Sequence, residues 1–540
     1  MQNKHRQHGQ TTYFLVGEGF VSEEAPPRPR AAIAAARAIA ATSATPPPPP
    51  EAPDPERAFR FNRLFPQLSP FRPSRQALEE LGETMGELQP VGIADSLIPS
   101  GFTYFGQFVD HDITFDKTEG LPTADLDPAE IIQGRSPSLD LDSIYGRGPA
   151  EEPELYDPAG NGLLKLGITT ASPAGLDPAQ ATLTLPNDLP RHTEGPPFLA
   201  IIGDPRNDEN LAVAQTHLAV LKFHNKVHAH LASQTGAPTG DALFQQARET
   251  VTRHYQWILL HDFLPRVAQQ SAIDAVLANG RKYYQLDPTA EPAMPVEFSV
   301  GAYRMGHSMI RDSYEWNKVF RTGGPLGGTT GTLRLLFRFT GSGQGASPTL
   351  PTNWIVDWNL MYDFTEGTAS SPDPKVNRTK QLDTTLASGL EALPEFGGVG
   401  LAAMLAVRNL IRGSILGLPS GQDLAKHIGA PVMSPAEILN GLPPEQATVV
   451  TRHGFENTTP LWFYLLKEAR HFENGEKLGP VGSILLAEVF HGLIQGSRTT
   501  ILDSCGKLAW TPTLPGAVAC NFKMTDLLNF LGAAELNPLG

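Results

Sequence analysis

The spacing of apolar residues constrains the fold of this 540-residue chain more than any other feature. Within residues 210–234 the apolar positions recur at three- and four-residue intervals, at Leu211, Ala214, Leu218 and Leu221. That spacing places the four side chains on one face of a helix. We expect Asn207 or Asp208 to cap the start of this helix.

Other segments indicate the same class of fold. Residues 241–269, 399–419, 459–472 and 479–497 are predicted helices, the first of them ending near Pro265. Strand alternation is scarce, and the best candidate is "TLRLLFRFTG" at residues 332–341. The chain contains 51 Gly and 49 Pro, which favours long irregular connections. The sequence therefore predicts a mainly α-helical protein with one large domain, long loops and little β-structure.

The N-terminal segment differs from the rest of the chain. "AAIAAARAIAATSA" at residues 31–44 favours a helix, but "PPPPP" follows at 46–50. We therefore predict an Ala/Pro-rich flexible segment over residues 1–60 and a globular domain over 61–540.

Charge and composition exclude several classes of function. A net charge of −15 and a pI near 5.5 argue against binding to nucleic acid or anionic membranes. We find no run of 18 apolar residues, so no integral membrane segment is expected. The first residues do not resemble a cleaved signal, which leaves export by another route open. Cys505 and Cys520 are expected to be buried free thiols.

The stretch "FTYFGQFVDHDITFD" at residues 102–116 carries the most unusual chemistry. His111 lies between Asp110 and Asp112 in an otherwise aromatic and aliphatic segment, and Gln107 precedes it by four residues. An exposed polar bend, a metal site and an acid/base centre would each explain these residues.

Three further groups have individually weaker signals. His224 and His228 are four residues apart but lack the Glu of a zinc-protease helix, so a core or capping role is favoured. His307 follows Gly306, a residue that allows a bulky group to approach the backbone. Arg206 precedes the 210–234 helix, where a capping loop with a surface ion pair is the simplest interpretation.

Alternating oxygen-bearing side chains occur in "SPSLDLDSIYGRG" at residues 136–148. They are Ser136, Ser138, Asp140 and Asp142. Oxygen ligands along one side of an extended loop suit a hard cation such as Ca²⁺, and a polar edge strand is the alternative.

The order of these motifs carries a resemblance. "GQFVDHD", "SLDLDSIYG", "GDPRNDEN", "HNKVH", "YRMGHSMIR" and "RNLIRG" occur in succession between residues 102 and 419. Together they resemble the animal-type haem peroxidase (peroxidase–cyclooxygenase) superfamily, and the resemblance covers roughly residues 60–540. It implies a helical fold and a haem b cofactor.

The resemblance also implies roles for individual residues. His111 matches the distal histidine above the haem iron, Arg206 the distal arginine, and Gln107 the glutamine that holds distal water or halide. His307 matches the proximal iron ligand, and Asn409 matches the asparagine that hydrogen-bonds to it.

Other matches concern haem attachment and calcium. Arg304 corresponds to an arginine near a haem propionate, while Asp110 and Glu209 match the carboxylates that form ester links to haem. Asp112 matches a calcium ligand, joined by Ser136, Ser138, Asp140 and Asp142.

Several positions depart from patterns within this superfamily. Ser136 and Asp142 stand where the family has a threonine and a serine calcium ligand, which adds negative charge but keeps oxygen ligation. Asn210 stands where some members have a methionine that bonds to a haem vinyl group, so that link should be absent. Arg304 stands where oxygenases of the superfamily place a radical-forming tyrosine. Tyr303 is one residue away and should point elsewhere on a helix, since neighbouring residues differ by about 100°.

The resemblance therefore predicts an oxidoreductase, a haem peroxidase that reduces hydrogen peroxide. It would oxidise a small electron donor, such as a phenol or a halide, and would take part in the response to oxidative stress. A fatty-acid dioxygenase or lipid-hydroperoxide-processing enzyme of the same superfamily is the first alternative. A non-catalytic adhesion or matrix protein is the second.

Overall fold

A computed structural model of the chain describes residues 12–15, 19–22, 59–86, 95–117, 124–192, 198–286, 292–341, 349–393 and 400–540. The predicted N-terminal flexible segment, with the helix expected at residues 31–44, lies almost entirely outside these residues. Two short strands from it are described, β1 (Thr12–Leu15) and β2 (Gly19–Ser22), which pair antiparallel. No helix in the described part of the chain has the length and apolar character needed to cross a membrane.

Helices make up most of the regular structure. In chain order they are α1 (Arg75–Glu83), α2 (Gly101–Ile113), α3 (Asp142–Tyr145), α4 (Leu211–Ala232), α5 (Asp241–Ile258), α6 (Leu264–Val267), α7 (Gln270–Asn279), α8 (Leu333–Leu336), α9 (Leu405–Ile415), α10 (Gly421–Ile428), α11 (Pro435–Leu439), α12 (Pro444–Arg452), α13 (Leu461–Glu473), α14 (Pro480–Gly496), α15 (Met524–Leu531) and α16 (Ala533–Leu536). The prediction of a mainly α-helical fold is confirmed.

The β-structure is limited to short pairings. The remaining strands are β3 (Phe59–Asn62), β4 (Asp95–Pro99), β5 (Ile132–Gln133), β6 (Ala293–Pro295), β7 (Ser313–Tyr314), β8 (Gly331–Thr332) and β9 (Arg378–Lys380). β3 pairs antiparallel with β5 and parallel with β6, while β4 pairs with β9 and β7 with β8, both antiparallel.

The predicted helix at residues 210–234 is α4, but its cap differs from the prediction. Asn210 is the N-cap, and its side-chain oxygen accepts a hydrogen bond from the backbone N–H of Val213 at 3.0 Å. Asn207 and Asp208 instead belong to a preceding 3₁₀ turn, Pro205–Asp208. That turn has a cap of its own, Asp204, so the turn and α4 each begin with a separate capping residue.

The predicted helix at residues 241–269 continues past Pro265. α5 passes through a π-helical turn at Leu259–Phe263 and then into α6, which ends at Val267. Pro265 is the second residue of α6, which directly follows the π turn.

The strand predicted at residues 332–341 is wrong over most of its length. Only Thr332 belongs to a strand, β8, and α8 begins at the next residue. Leu333, Leu336 and Phe337 are buried, a three- and four-residue spacing that is helical. Thr332 caps the helix by accepting from the N–H of Leu335 at 3.4 Å.

Helices α2, α4, α13 and α14 are largely buried and form the centre of the core. α2 packs against α4 and against a 3₁₀ helix, Ala302–Met309, which also contacts α13 and α14. This packing brings the 102–116 and 302–309 segments together. The two cysteines lie outside the core: both are free, as predicted, but both are exposed, so the expectation of buried thiols is wrong.

Candidate active site

A cavity lies between α2 and the 3₁₀ helix Ala302–Met309. Most of its surface is apolar, with a few polar groups. The lining residues are Phe102, Thr103, Gly106, Gln107, Asp110, His111, Phe263, Tyr303, Arg304, Met305, Gly306, His307, Met309 and Ile310. An apolar wall with a few convergent polar groups is typical of sites for cofactors and small ligands.

The polar residues of α2 divide between two environments. Gln107, Asp110 and His111 are three and four residues apart, so they share the face that lines the cavity. Asp112 is turned toward the loop that carries residues 136–142, where it accepts from the N–H groups of Leu141 and Ser143. The segment is helical and buried, which excludes the exposed polar bend.

His111 is almost completely buried, and a polar side chain lies near each of its ring nitrogens. Its Nδ1 lies 2.9 Å from the side-chain oxygen of Asn207, and its Nε2 lies 3.7 Å from Oε1 of Glu209. Burial and the positive charge of Arg206 lower the pKa of His111 to about 3. The imidazole is therefore neutral near pH 7.

Arg206 lies beside His111 but does not line the cavity. Its guanidinium donates to the backbone oxygen of His111 at 2.7 Å and to both carboxylate oxygens of Asp204, at 2.9 and 2.7 Å. Asp204 also accepts from the guanidinium of Arg135. All these groups are buried, so the surface ion pair considered from the sequence is not what forms.

A hydrogen-bonded chain fixes the orientation of the Gln107 amide. The side-chain oxygen of Asn210 is used in capping α4, so its NH₂ group faces Gln107 and donates to Oε1 at 3.0 Å. The NH₂ group of Gln107 then donates to the carboxylate of Glu209. Glu209 is buried behind Gln107, and it is not part of the cavity lining.

His307 faces the same cavity from the 3₁₀ helix. Its Nδ1 lies 2.7 Å from the amide nitrogen of Asn409, and its Nε2 forms no hydrogen bond with the described residues. Burial and the neighbouring charge of Arg304 hold the pKa of His307 well below its usual range. A Cβ built on Gly306 would meet no atom within 4 Å, so open space lies next to His307.

Arg304 and Tyr303 both line the cavity. The Nε of Arg304 donates to the backbone oxygen of Ser299 at 2.9 Å. The hydroxyl of Tyr303 donates to the backbone oxygen of Gly106, across the cavity on α2, at 2.9 Å. The expectation that Tyr303 points elsewhere is wrong, because its side chain lines the cavity together with Arg304.

The predicted cation ligands of the 136–142 loop form one hydrogen-bonded group. Ser136 donates to Asp142 at 2.7 Å, and Ser138 lies 2.9 Å from both Ser136 and Asp140. These four side chains and Asp112 supply oxygen atoms alone, the chemistry that Ca²⁺ prefers. A polar edge strand does not form at these residues.

The carboxylates near this loop affect one another. Burial and the charge of Asp142 raise the pKa of Asp112 to about 7, and the same two causes raise the pKa of Asp140. Asp112 already accepts four protein hydrogen bonds, including one from Tyr255, and Arg248 lies 3.9 Å from Asp142. No group of three or more His, Cys, Asp or Glu side chains with metal-binding geometry occurs among the described residues.

The pair His224 and His228 has the core role that was favoured. His224 is buried on α4, where its ring nitrogens contact the hydroxyl of Tyr145 at 3.0 Å and the backbone oxygen of Gly162 at 3.1 Å. Neither histidine lines the cavity.

Comparison with known proteins decides the family. The model of the animal haem peroxidase family matches residues 120–499, which is more than half of the chain. The chain belongs to the animal haem peroxidase family. The matched range includes Arg206, His307 and Asn409. It begins after α2, which carries His111, so the place of His111 at the site rests on the packing of α2 and not on the family match.

Individual relatives of the animal haem peroxidase family are distant. Human thyroid peroxidase is 24% identical over 387 residues, which cover 68% of this chain and 38% of that protein. A peroxidasin homolog of Caenorhabditis briggsae is 25% identical over 366 residues, which cover 67% of this chain and 27% of that protein. The chain spans well under half the length of these relatives.

Solved structures show the same fold. Peroxidase A from Dictyostelium discoideum aligns with a TM-score of 0.56 at 16% identity and covers 82% of this chain and 88% of that one. Fatty acid alpha-dioxygenase from Oryza sativa aligns with a TM-score of 0.53 at 10% identity, covering 82% and 80%. The fold is shared by both classes of enzyme.

Family membership implies haem, and the cavity residues fit such a group. Nε2 of His307 is available as an axial ligand, the space beside Gly306 is open, and the walls are largely apolar. Metal binding through Nε2 requires the proton on Nδ1. A half-turn of the Asn409 amide presents Oδ1 to that proton, and Oδ1 has no other partner among the described residues.

The sequence interpretation missed Asp204 at this site and gave Asn207 only a role as a helix cap. Both belong to the quoted "GDPRNDEN" stretch, and both reach their partners only through tertiary packing. The available signal was the density of polar residues just before a long apolar helix.

Proposed function

We propose that this chain is a haem-dependent peroxidase that reduces hydrogen peroxide and oxidises a small electron donor, such as a phenol or a halide. The observation that carries the proposal is the pair of neutral imidazoles, His111 and His307, on two different elements that line a single cavity. One histidine would serve as the axial ligand, and the other would serve as an acid/base group.

His307 would hold the haem iron through Nε2, with Asn409 as the partner of Nδ1. An amide accepts a hydrogen bond more weakly than a carboxylate, so the imidazole would remain a modest electron donor. Arg304 would lie near the haem edge. When bound, haem iron supplies the electrons that reduce peroxide and the oxidising power passed on to the donor.

His111 would move the proton. A neutral imidazole can accept the proton from peroxide and return it to the departing oxygen, which makes water the leaving group. The low pKa of His111 keeps it available as the acceptor. Gln107, whose amide is fixed by Asn210 and Glu209, would present a polar group beside it.

Arg206 would act through His111. Its guanidinium holds the backbone oxygen of His111 and, after burial, contributes most to the lowered pKa of the imidazole. A direct contact between Arg206 and the departing oxygen, as the resemblance implies, stays a prediction.

Haem attachment and calcium binding belong to the same proposal. Asp110 lines the cavity and would form an ester link to the haem. The resemblance assigns a second link to Glu209, which would require Gln107 to move, because Glu209 lies behind it. Asp112 would bind calcium with the oxygens of Ser136, Ser138, Asp140 and Asp142. A cation there would relieve the repulsion among the carboxylates and brace the helix that carries His111.

A fatty-acid dioxygenase is the second candidate, and Tyr303 is the observation that favours it. This tyrosine lines the cavity next to the proposed iron ligand, and the chain shares its fold with fatty acid alpha-dioxygenases. Arg304, which occupies the position of the radical-forming tyrosine in such enzymes, argues against it.

Turnover of the haem-loaded chain distinguishes the candidates. Peroxide-dependent oxidation of a phenolic dye should fall by roughly 10²–10⁴-fold in His111→Ala, because a general acid/base contributes about that factor. Oxygen consumption with a fatty acid that exceeds any peroxidase turnover would favour the dioxygenase. Loss of neither activity in His111→Ala would contradict the proposal, and absence of both in the wild type would favour a non-catalytic role.

A further inference from the structure

We propose that Asn207 is a positioning residue, which holds His111 in the tautomer with the proton on Nδ1 and the lone pair on Nε2. The inference rests on the proposed function, since it concerns how His111 becomes competent to accept a proton. Neither the resemblance nor the family match assigns a role to this position.

The contact between the two side chains is short and buried. Oδ1 of Asn207 lies 2.9 Å from Nδ1 of His111, and neither side chain is measurably open to solvent. In this orientation the amide oxygen can only accept, so Nδ1 carries the proton. A neutral imidazole has one proton, which leaves Nε2 as the basic nitrogen.

The carboxylate of Glu209, which lies near the other ring nitrogen, does not compete at its distance. Oε1 of Glu209 is 3.7 Å from Nε2, beyond the 2.7–3.2 Å range of an N–H···O hydrogen bond. Its attraction for a proton on Nε2 is therefore weaker than the hydrogen bond to Nδ1. Arg206, Asp204 and Arg135 also surround the ring, and they act on its total proton affinity.

The surroundings of the Asn207 NH₂ group support a role for the side-chain oxygen of the same amide. Its NH₂ group is buried and has no hydrogen-bond partner among the described residues. An unpartnered buried donor lowers stability. A residue retained for packing alone would be better apolar, so the amide oxygen is the group that explains an asparagine here.

The backbone of the same turn fixes where this oxygen lies. Asn207 follows Arg206 directly in the 3₁₀ turn Pro205–Asp208, and its N–H donates to the backbone oxygen of Asp204 at 3.1 Å. Asp204 in turn holds the guanidinium of Arg206. One short turn thus delivers the acceptor for Nδ1 and the guanidinium that holds the His111 backbone.

Cyanide association with the haem-loaded full chain tests the inference without turnover. At neutral pH cyanide arrives as HCN and must lose its proton to a base, so its rate, followed by the shift of the Soret band, reports on the lone pair of Nε2. We expect Asn207→Leu, which keeps the bulk and removes the acceptor, to slow association about tenfold. Asn207→Asp keeps an acceptor at the same place and should stay within about threefold of the wild type. Asn457→Leu, an exposed amide outside the site, is the control and should match the wild type.

The outcomes separate this inference from the proposed function. Equal rates for Asn207→Leu and the wild type, or equal losses in Asn207→Leu and Asn207→Asp, would overturn the role of the acceptor. If Asn207→Leu takes up no haem, Asn207→Ser replaces it, because its shorter side chain also removes the contact, and the same tenfold loss is expected. A wild-type chain that binds no haem would instead contradict the proposed function.

Discussion

Replacing Asp204 by alanine should destabilise the chain more than the loss of any exposed ion pair. Asp204 is a completely buried carboxylate between two buried guanidiniums, those of Arg135 and Arg206. It accepts from Arg206 at 2.9 and 2.7 Å and from Nε of Arg135 at 2.7 Å. Its removal leaves two buried positive charges without their shared partner.

The size of the effect follows from burial. Removing one partner from a buried ion pair costs roughly 3–5 kcal/mol, because the remaining charge can recover neither water nor a partner. An exposed pair contributes only about 0–1 kcal/mol. Asp125, which pairs with Arg72 at 2.6 Å with its side chain 63% exposed, supplies the matched control.

Equilibrium unfolding in urea measures both changes through the transition midpoint and slope. We expect Asp204→Ala to lower the free energy of unfolding by about 3–5 kcal/mol, and Asp125→Ala by no more than about 1 kcal/mol. Equal effects of the two substitutions would refute the assignment of Asp204 as a buried bridge.

The pH range of this effect is also specified. Burial by itself would raise the pKa of Asp204, but Arg135 and Arg206 hold it far below its usual range. A carboxyl with a depressed pKa stabilises the fold above its unfolded pKa of about 4 and loses that contribution only at lower pH. The difference between the wild type and Asp204→Ala should therefore be constant from about pH 5 to pH 8.

Two further predictions concern the metal and the haem. Chelation should lower the unfolding temperature of the wild type and calcium should restore it, whereas Asp142→Asn should respond to neither; an unchanged wild type would argue against calcium at this loop. Haem should resist acidified organic extraction from the wild type and become more extractable from Asp110→Asn. Free extraction from the wild type would exclude ester links.

Much of the fold follows from helical periodicity, and its errors have physical causes. The spacing in residues 479–497 predicts α14 to within a residue at each end, because an almost fully buried helix depends little on its flanks. The sequence of residues 332–341 is compatible with both a strand and a helix. Its apolar and polar residues can be read as alternating, but the buried residues Leu333, Leu336 and Phe337 follow helical spacing. Tertiary packing decided between the two.

The site was partly visible in the sequence for similar reasons. Motif order indicated His111 and His307, and the structure brings both to one cavity. Asp204 and Asn207 act through partners about 70 and 96 residues away, and no local pattern records such contacts. The prediction for Cys505 and Cys520 failed for a different reason. Cysteine is buried on average, but that average does not determine where a particular cysteine in a loop lies.

The most direct test of the proposed function is the visible spectrum of the haem-reconstituted chain, recorded for the wild type and for His307→Ala. We predict a Soret band in the wild type that shifts on addition of peroxide, and its large loss in His307→Ala, because Nε2 of His307 is the proposed axial ligand. His224→Ala, a change at a buried histidine that does not line the cavity, serves as the control and should keep the band. An unchanged band and an unchanged response to peroxide in His307→Ala would contradict the assignment of the iron ligand and the account of the site built on it.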